Sequence, residues 1–413
     1  MNFPSRRSLI AYGIALLTLQ AQAGPLMLDA MVGQALSGAP QLTALKKSSQ
    51  AQEQDALAAR EWPDPKIKLG EEKLPVSNFR ATDQTMDVIG VEQMIPGGKK
   101  LTLASQANLL SASRLRADEA LSRLTIRRDA AFAWLDAVYA RAQVRLLKQQ
   151  LDQAGKGVDA QRRALIGAQG GVASVLDAER LRLLLNDKLQ QALADQHKAD
   201  AQVARWAGQV ELPDTLPEIS SPPTLAMLEA WLERHPAILI REQETALAQN
   251  AVDQARENKK PDWDFELSYG RARTPGMPNT LTAMVTFSLP IRPGARQDRQ
   301  AAARQLDLDA TGATREADLR SLRADLEAAY TDWLSLNRRL AELDAGLSSR
   351  ADALVASNVA GYANGALPFS QLITSRQNRL DDAMTVLALR YQRVRARIAL
   401  DYFVPSAASF QEQ

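Results

Sequence analysis

Between Pro261 and Gly294 the chain adopts a period of two. Phe265, Leu267 and Tyr269 alternate with Asp264, Glu266 and Ser268. After a Pro/Gly break from Thr274 to Asn279, Leu281, Ala283, Val285, Phe287 and Leu289 alternate with mostly polar residues. Successive side chains of a strand point to opposite faces, so the pattern predicts a hairpin with one apolar face and one wet face. The strands fall at about 262–271 and 281–290. Each is near the ~9–11 residues of a tilted transmembrane strand and far from the ~20 apolar residues of a membrane helix. On the hairpin alone an ordinary half-buried hairpin fits equally; were the strands to enter a membrane, Phe265, Leu267, Tyr269, Val285 and Phe287 are the residues expected to face lipid.

The same stretch occurs twice. With a shift of 196 residues and no gap, Pro65 falls on Pro261, Val88 on Met284, Val91 on Phe287, Ile95 on Ile291, Gly98 on Gly294 and Lys100 on Arg296. The register extends to Trp134 on Tyr330, Asp136 on Asp332, Ser174 on Ser370, Arg180 on Arg376 and Trp206 on Tyr402. The chain is therefore one unit in tandem, with a period too long for a solenoid repeat. The first copy's strands are expected at about 66–74, where Ile67 and Leu69 oppose Lys66 and Lys68, and at about 85–95.

Helical patterns flank both hairpins. In the first copy, 24–207, a short amphipathic helix from Leu26 to Gly38 precedes one starting at Pro40 and ended by Pro63 and Pro65. A proline-free helix then runs over about 99–165, with apolar or small residues at Ala117, Leu121, Leu124, Ala131, Leu135, Val138 and Ala142. Gly167, Gly170 and Gly171 make a reversal into a return helix over 172–207, and the proline-rich segment 208–223 links the copies. The second copy, 224–403, repeats this with a long helix over about 294–360, a turn from Gly361 to Pro368, a return helix over 369–403 and a frayed tail, 404–413. About 67 residues at 1.5 Å each make a long helix of roughly 100 Å. The two shorter helices of a copy sum to nearly that length, so each copy is expected to be a rod with its hairpin at one pole.

Residues 1–23 combine a basic start (Arg6, Arg7), an apolar run from Leu9 to Leu19 and Ala21-Gln22-Ala23 before Gly24. This is the pattern of a cleaved secretory signal. The chain has no cysteine, which excludes a disulfide, a thiolate nucleophile and a lipid-modified N-terminal Cys; the protein is not expected to be a lipoprotein. Net charge is +2 over 413 residues, and Arg is interspersed with Asp and Glu, a pattern of solvated helix faces and not of a nucleic-acid surface. His197 and His235 are unpaired and expected at the surface, giving no zinc site. Met27, Met31 and Met227 read as core packing. No convergent catalytic, metal or cofactor site is found, so the chain is not expected to be an enzyme. Trp62 and Trp263, beside the strand starts, suit either an interfacial belt or packing between helix and sheet.

A barrel in lipid cannot leave an edge, and four strands are too few to close one. Two chains would give eight strands and three would give twelve; a tube of helices continuing from the strands favours the wider barrel, which has a lumen.

The ordered set of motifs resembles the outer-membrane efflux duct family typified by TolC, over essentially the whole mature chain. It is carried by Trp62-Pro63-Asp64-Pro65 and Lys260-Pro261-Asp262 before the first strand of each copy, Gln93-Met94-Ile95-Pro96-Gly97-Gly98-Lys99 after the second, and the reversal motifs Ser174-Val175-Leu176-Asp177-Ala178 and Gly361-Tyr362-Ala363-Asn364-Gly365 with Leu372-Ile373. The Trp-Pro-Asp-Pro and Gly-Gly-Lys motifs look closest to the CzcC-type ducts of heavy-metal efflux. The resemblance implies a mainly α fold with a transmembrane β part: a homotrimer with a 12-stranded barrel in outer-membrane lipid and a 12-helix barrel across the periplasm. It further implies docking of the helical tips on a periplasmic adaptor coupled to a proton-driven inner-membrane pump. Carboxylates that constrict the tip in this family would fall on about Gln371 and Thr374, both neutral here. Asp177 is the nearest acidic candidate, with Ser174 and Arg376 the other tip residues. The competing expectation is a secreted coiled-coil scaffold or adaptor without a channel.

Overall fold

The computed structural model describes residues 27–74, 84–167, 171–344 and 346–404. The expected secretory signal, Gly170 of the first reversal, most of the loop between the first two strands and the tail from 405 on lie outside them.

The first copy forms α1 (Leu28–Ser37), α2 (Pro40–Ala58), β1 (Lys66–Glu72), β2 (Met86–Ile95), α3 (Lys100–Ile166) and α4 (Val172–Ala207). The second forms α5 (Leu225–Leu232), α6 (Pro236–Glu257), β3 (Trp263–Ala272), β4 (Thr280–Phe287), α7 (Gln297–Asp344), α8 (Leu347–Ala363) and α9 (Phe369–Asp401). Pro40 and Pro236 each open a helix, where a missing N–H costs nothing. Within each copy the long helix packs along both shorter partners, α3 on α2 and α4, α7 on α6 and α9.

Several boundaries depart from the sequence pattern. β1 stops at Glu72 because Lys73 takes a left-handed backbone, φ 59°. β4 stops at Phe287; Pro290 cannot donate to a ladder, and Pro293–Ala295 form a 3-10 turn that delays α7 to Gln297. The second long helix is not continuous like α3: α7 ends at Asp344 and α8 begins after Gly346. Glycine costs a helix interior about 1 kcal/mol relative to alanine. The position corresponding to Gly346 in the first copy is Gln150, a good helix former, within the unbroken α3.

The apolar core is a collar around the middle of the long helices. Met31 and Val32 of α1, Trp134, Leu135 and Val138 of α3, Leu212 of the linker, and Val394 and Ile398 of α9 form its largest cluster. Ala130, Ala131 and Ala137 are fully buried there; their small side chains let helix backbones approach closely. Leu228 and Leu232 of α5, Leu326 and Trp333 of α7, and Leu400 and Phe403 build the second copy's counterpart. Met31 is buried as expected, but Met27 and Met227 are exposed. Met27 is the N-cap of α1, ahead of its packed face, and Met227 lies one residue off the α5 face that buries Leu228 and Leu232.

His235 is also a correction: it is buried, whereas His197 is exposed. His235 is the N-cap of α6. Its Nδ1 accepts from the Ala237 N–H at 3.3 Å, which leaves Nε2 to donate to the Tyr402 carbonyl at 3.1 Å. Burial lowers its pKa, the Tyr402 bond opposing. A lowered folded-state pKa means that the unfolded chain binds the proton first. Stability is thus full above the ordinary histidine value, about 6.5, and is lost as pH falls below it. His235→Asn, which keeps a capping oxygen, is expected to abolish this component of acid sensitivity in denaturation curves taken from pH 7.5 to 5 in detergent.

Candidate channel surfaces

The four strands form one antiparallel sheet in the order β1-β2-β3-β4, so the two hairpins join through β2 and β3. The register aligns like residues across it. Rows Ile67–Val91–Leu267–Ala283 and Leu69–Ile89–Tyr269–Leu281 cross all four strands, and Gln93–Phe265–Val285 and Ile95–Trp263–Phe287 cross three. All five expected lipid-facing residues lie on this face, and it is open: Leu69 is 75% exposed, Leu267 54% and Leu281 72%. The apolar clusters among the described residues contain no strand residue.

The opposite face is mostly polar, and it is sheltered along β2 and β3 but exposed on the edge strands β1 and β4. Its rows are Lys66–Glu92–Glu266–Met284 and Lys68–Gly90–Ser268–Thr282, with Ser268 only 7% exposed. Lys68 Nζ lies 2.6 Å from both Glu92 and Glu266, and Lys66 Nζ lies 3.2 Å from Glu92. The Lys68–Glu266 bond spans β2, and the residue facing Lys68 there is Gly90. A Cβ on Gly90 would stand 2.9 Å from Ser268 Cβ. In the central strands the sheet is thus polar where it is protected and apolar where it is open, the reverse of a sheet packed in water.

Where the strands give way to helices, the first copy is fastened to the second. The Gly97 N–H donates to Asp262 at 2.8 Å, Lys100 Nζ donates to Asp262 at 2.7 Å and to the Lys260 carbonyl at 2.9 Å, and the Lys99 N–H donates to Glu257 at 2.9 Å. A Cβ on Gly97 would stand 1.9 Å from the Pro261 carbonyl oxygen, so only glycine permits this approach. Desolvation of Asp262 is outweighed by Lys100 and the Gly97 N–H, which hold its carboxyl below the usual range. Lys260, and then the Lys99 N–H, do the same for Glu257.

At the other pole, Asp177 and Thr374 line a cleft of about 180 Å³ between α4 and α9, with Arg180, Leu181, Leu184, Ser370, Ile373 and Gln377. Ser174 and Gln371 do not line it. Arg376 instead lines the cleft formed with Gln150, Gln153, Ala154, Leu181 and Leu185, where burial lowers its pKa. Of the expected tip residues, Asp177 and Thr374 thus share one cleft, Arg376 lines another, and Ser174 and Gln371 line neither. Tyr362 and Gln161 exchange hydrogen bonds of 2.9 and 3.3 Å, tying α8 to α3. The α8 reversal is a Schellman motif: the Ala366 N–H donates to Gly361 and the Gly365 N–H to Tyr362, with Gly365 at φ +69°. Gly365→Ala forces a Cβ into the left-handed region and is expected to cost about 1–2 kcal/mol, read as faster hydrogen exchange in the last turn of α8.

Residues 227–403 match the model of the outer membrane efflux protein family. The whole fold matches solved channels at low identity. CusC, in structures concerned with folding and transmembrane channel formation, aligns at a TM-score of 0.78 and 15% identity, over 94% of this chain and 95% of that chain. The second copy thus matches the outer membrane efflux protein family, and the chain as a whole has the fold of these channels. The CmeC outer membrane channel of Campylobacter jejuni aligns at a TM-score of 0.76 and 13% identity, over 100% of this chain and 95% of that one. The open MtrE outer membrane channel of Neisseria gonorrhoeae gives 0.77 and 15%, over 91% and 88%. No curated protein matches the sequence. In this efflux fold, sequence reasoning missed the Lys66–Lys68–Glu92–Glu266 ladder and the Gly97–Asp262 joint. Alternation placed the ladder residues on the wet face, but their pairing depends on a register between copies that no local pattern encodes.

Proposed function

We propose that the protein is the exit duct of a tripartite efflux pump. Three copies close a 12-stranded barrel in the outer membrane, and their helices continue it as a tunnel through the periplasm. The observation that carries this reading is the inverted sheet, with an uncovered apolar face across all four strands and two unpaired edges, β1 and β4. In water such a surface invites aggregation; in a bilayer a closed barrel satisfies every edge and solvates the apolar face. The strands alternate in direction, so β4 of one copy can continue antiparallel into β1 of the next.

The duct performs no reaction. Solutes diffuse down a water-filled lumen when the tips open, and the tips engage a periplasmic adaptor joined to a proton-driven inner-membrane pump. The signal-like N-terminus supports export, and the Trp62-Pro63-Asp64-Pro65 and Gly97-Gly98-Lys99 motifs support heavy-metal cations as cargo. Electron microscopy of detergent-extracted protein tests the reading. A three-fold particle with a helical stalk of roughly 100 Å is expected. Rods that stay soluble without detergent would overturn it in favour of a secreted scaffold.

A further inference from the structure

We propose a specific contact between copies of this chain: Arg296 of one copy pairs with Asp64 of the next, and Glu61 of that next copy caps the start of α7. The inference rests on the duct reading and names what holds neighbouring copies together where barrel meets helices.

The chain contains the template. Where the first copy leaves the sheet, at Gly97–Lys100, it docks on the segment by which the second copy approaches it, at Glu257–Asp262. The docking uses the Lys100–Asp262 ion pair and the Glu257 cap on the Lys99 N–H. Duplication means that this junction has a second half on each side. The second copy also leaves the sheet, at Arg292–Arg296, and the first copy also approaches it, at Glu61–Pro65. These two segments carry the same chemistry. In the 196-residue register Arg296 stands for Lys100 and Glu61 for Glu257, and Pro63-Asp64 repeats Pro261-Asp262 at a spacing of 198.

The Pro63 carbonyl accepts from Gln93 Nε2 at 2.8 Å, but the charged groups of neither half are engaged within the chain. Glu61, Asp64, Arg292 and Arg296 are exposed, and none makes an ion pair among the described residues. Ile291 is 84% exposed, whereas its counterpart Ile95 is paired in register with Trp263. The undocked segment also has a different shape, a 3-10 turn over Pro293–Ala295 in place of the left-handed Gly98 turn at φ +68°.

The two halves cannot meet in one chain. Asp64 precedes β1 and Arg296 follows β4, the opposite edges of the sheet, three strand spacings or roughly 14 Å apart. A second copy adding its β1 edge to β4 brings Glu61 and Asp64 beside Arg296 with the polarity already seen inside the chain. The occupant is therefore another copy, selected by charge complementarity and by the template.

The test is a charge swap read as trimer stability in detergent. Arg296→Asp and Asp64→Arg alone are each expected to raise the dissociated fraction about tenfold, and the double variant to restore most of it, as a directly coupled pair does. A second readout uses the absence of native cysteine. Asp64→Cys with Arg296→Cys, treated with a short bis-maleimide, is expected to give covalent dimers and trimers on a denaturing gel. Trimers indifferent to both reversals, a double variant no better than either single one, or a cross-link yield of monomer alone would overturn the contact while leaving the duct intact. A wild-type chain that never trimerises would overturn both.

Discussion

Leu267→Lys is expected to cost about 2–4 kcal/mol of assembled stability in a lipid bilayer, the depth-dependent cost of a cation at the hydrocarbon midplane. The size of this effect is informative because the chain alone gives no reason for it. Leu267 is 54% exposed and belongs to no apolar cluster. On an ordinary water-facing sheet the same substitution would stay within about 0.5 kcal/mol. The control is Thr282→Lys on the polar face, one strand away from Ser268, where the duct reading puts a lysine in the lumen and membrane yield should hold. Heat-modified mobility of the protein folded into vesicles distinguishes the two: loss for Leu267→Lys alone is expected, and equal behaviour of both variants would contradict lipid exposure.

Trp134→Ala is expected to destabilise the fold by about 3–5 kcal/mol, the range for truncating a fully buried aromatic. Trp134 is 1% exposed and lies in the cluster that joins α1, α3, the linker and α9. Its loss therefore opens a cavity in the cluster where the first copy meets α9. Denaturation of the detergent-solubilised protein should show an earlier midpoint for Trp134→Ala than for Leu109→Ala. Leu109, on the same helix, is 50% exposed.

The sheet and the tandem plan were legible because each rests on a period. Alternation from Phe265 to Tyr269 assigned the apolar face, and the 196-residue register carried that assignment to Ile67 and Leu69, where the local signal is short. The break in the second long helix was not legible. Gly155 and Gly157 sit inside α3 and Gly312 inside α7 without interrupting them, so Gly346 does not announce itself as the one that matters. The burial of His235 depends on Tyr402, 167 residues away, and no local pattern reports that. Spacing did not report which of the proposed tip residues come together: Asp177 and Thr374 share a cleft, while Arg376, two residues beyond Thr374, is carried by the helical turn to another side of α9.

Planar-bilayer conductance of the detergent-extracted protein tests the central claim most directly. A trimeric duct should insert and give small, long-lived, ohmic currents in salt. Protein that binds the bilayer or stays in solution and passes no current would contradict the duct and leave a scaffold.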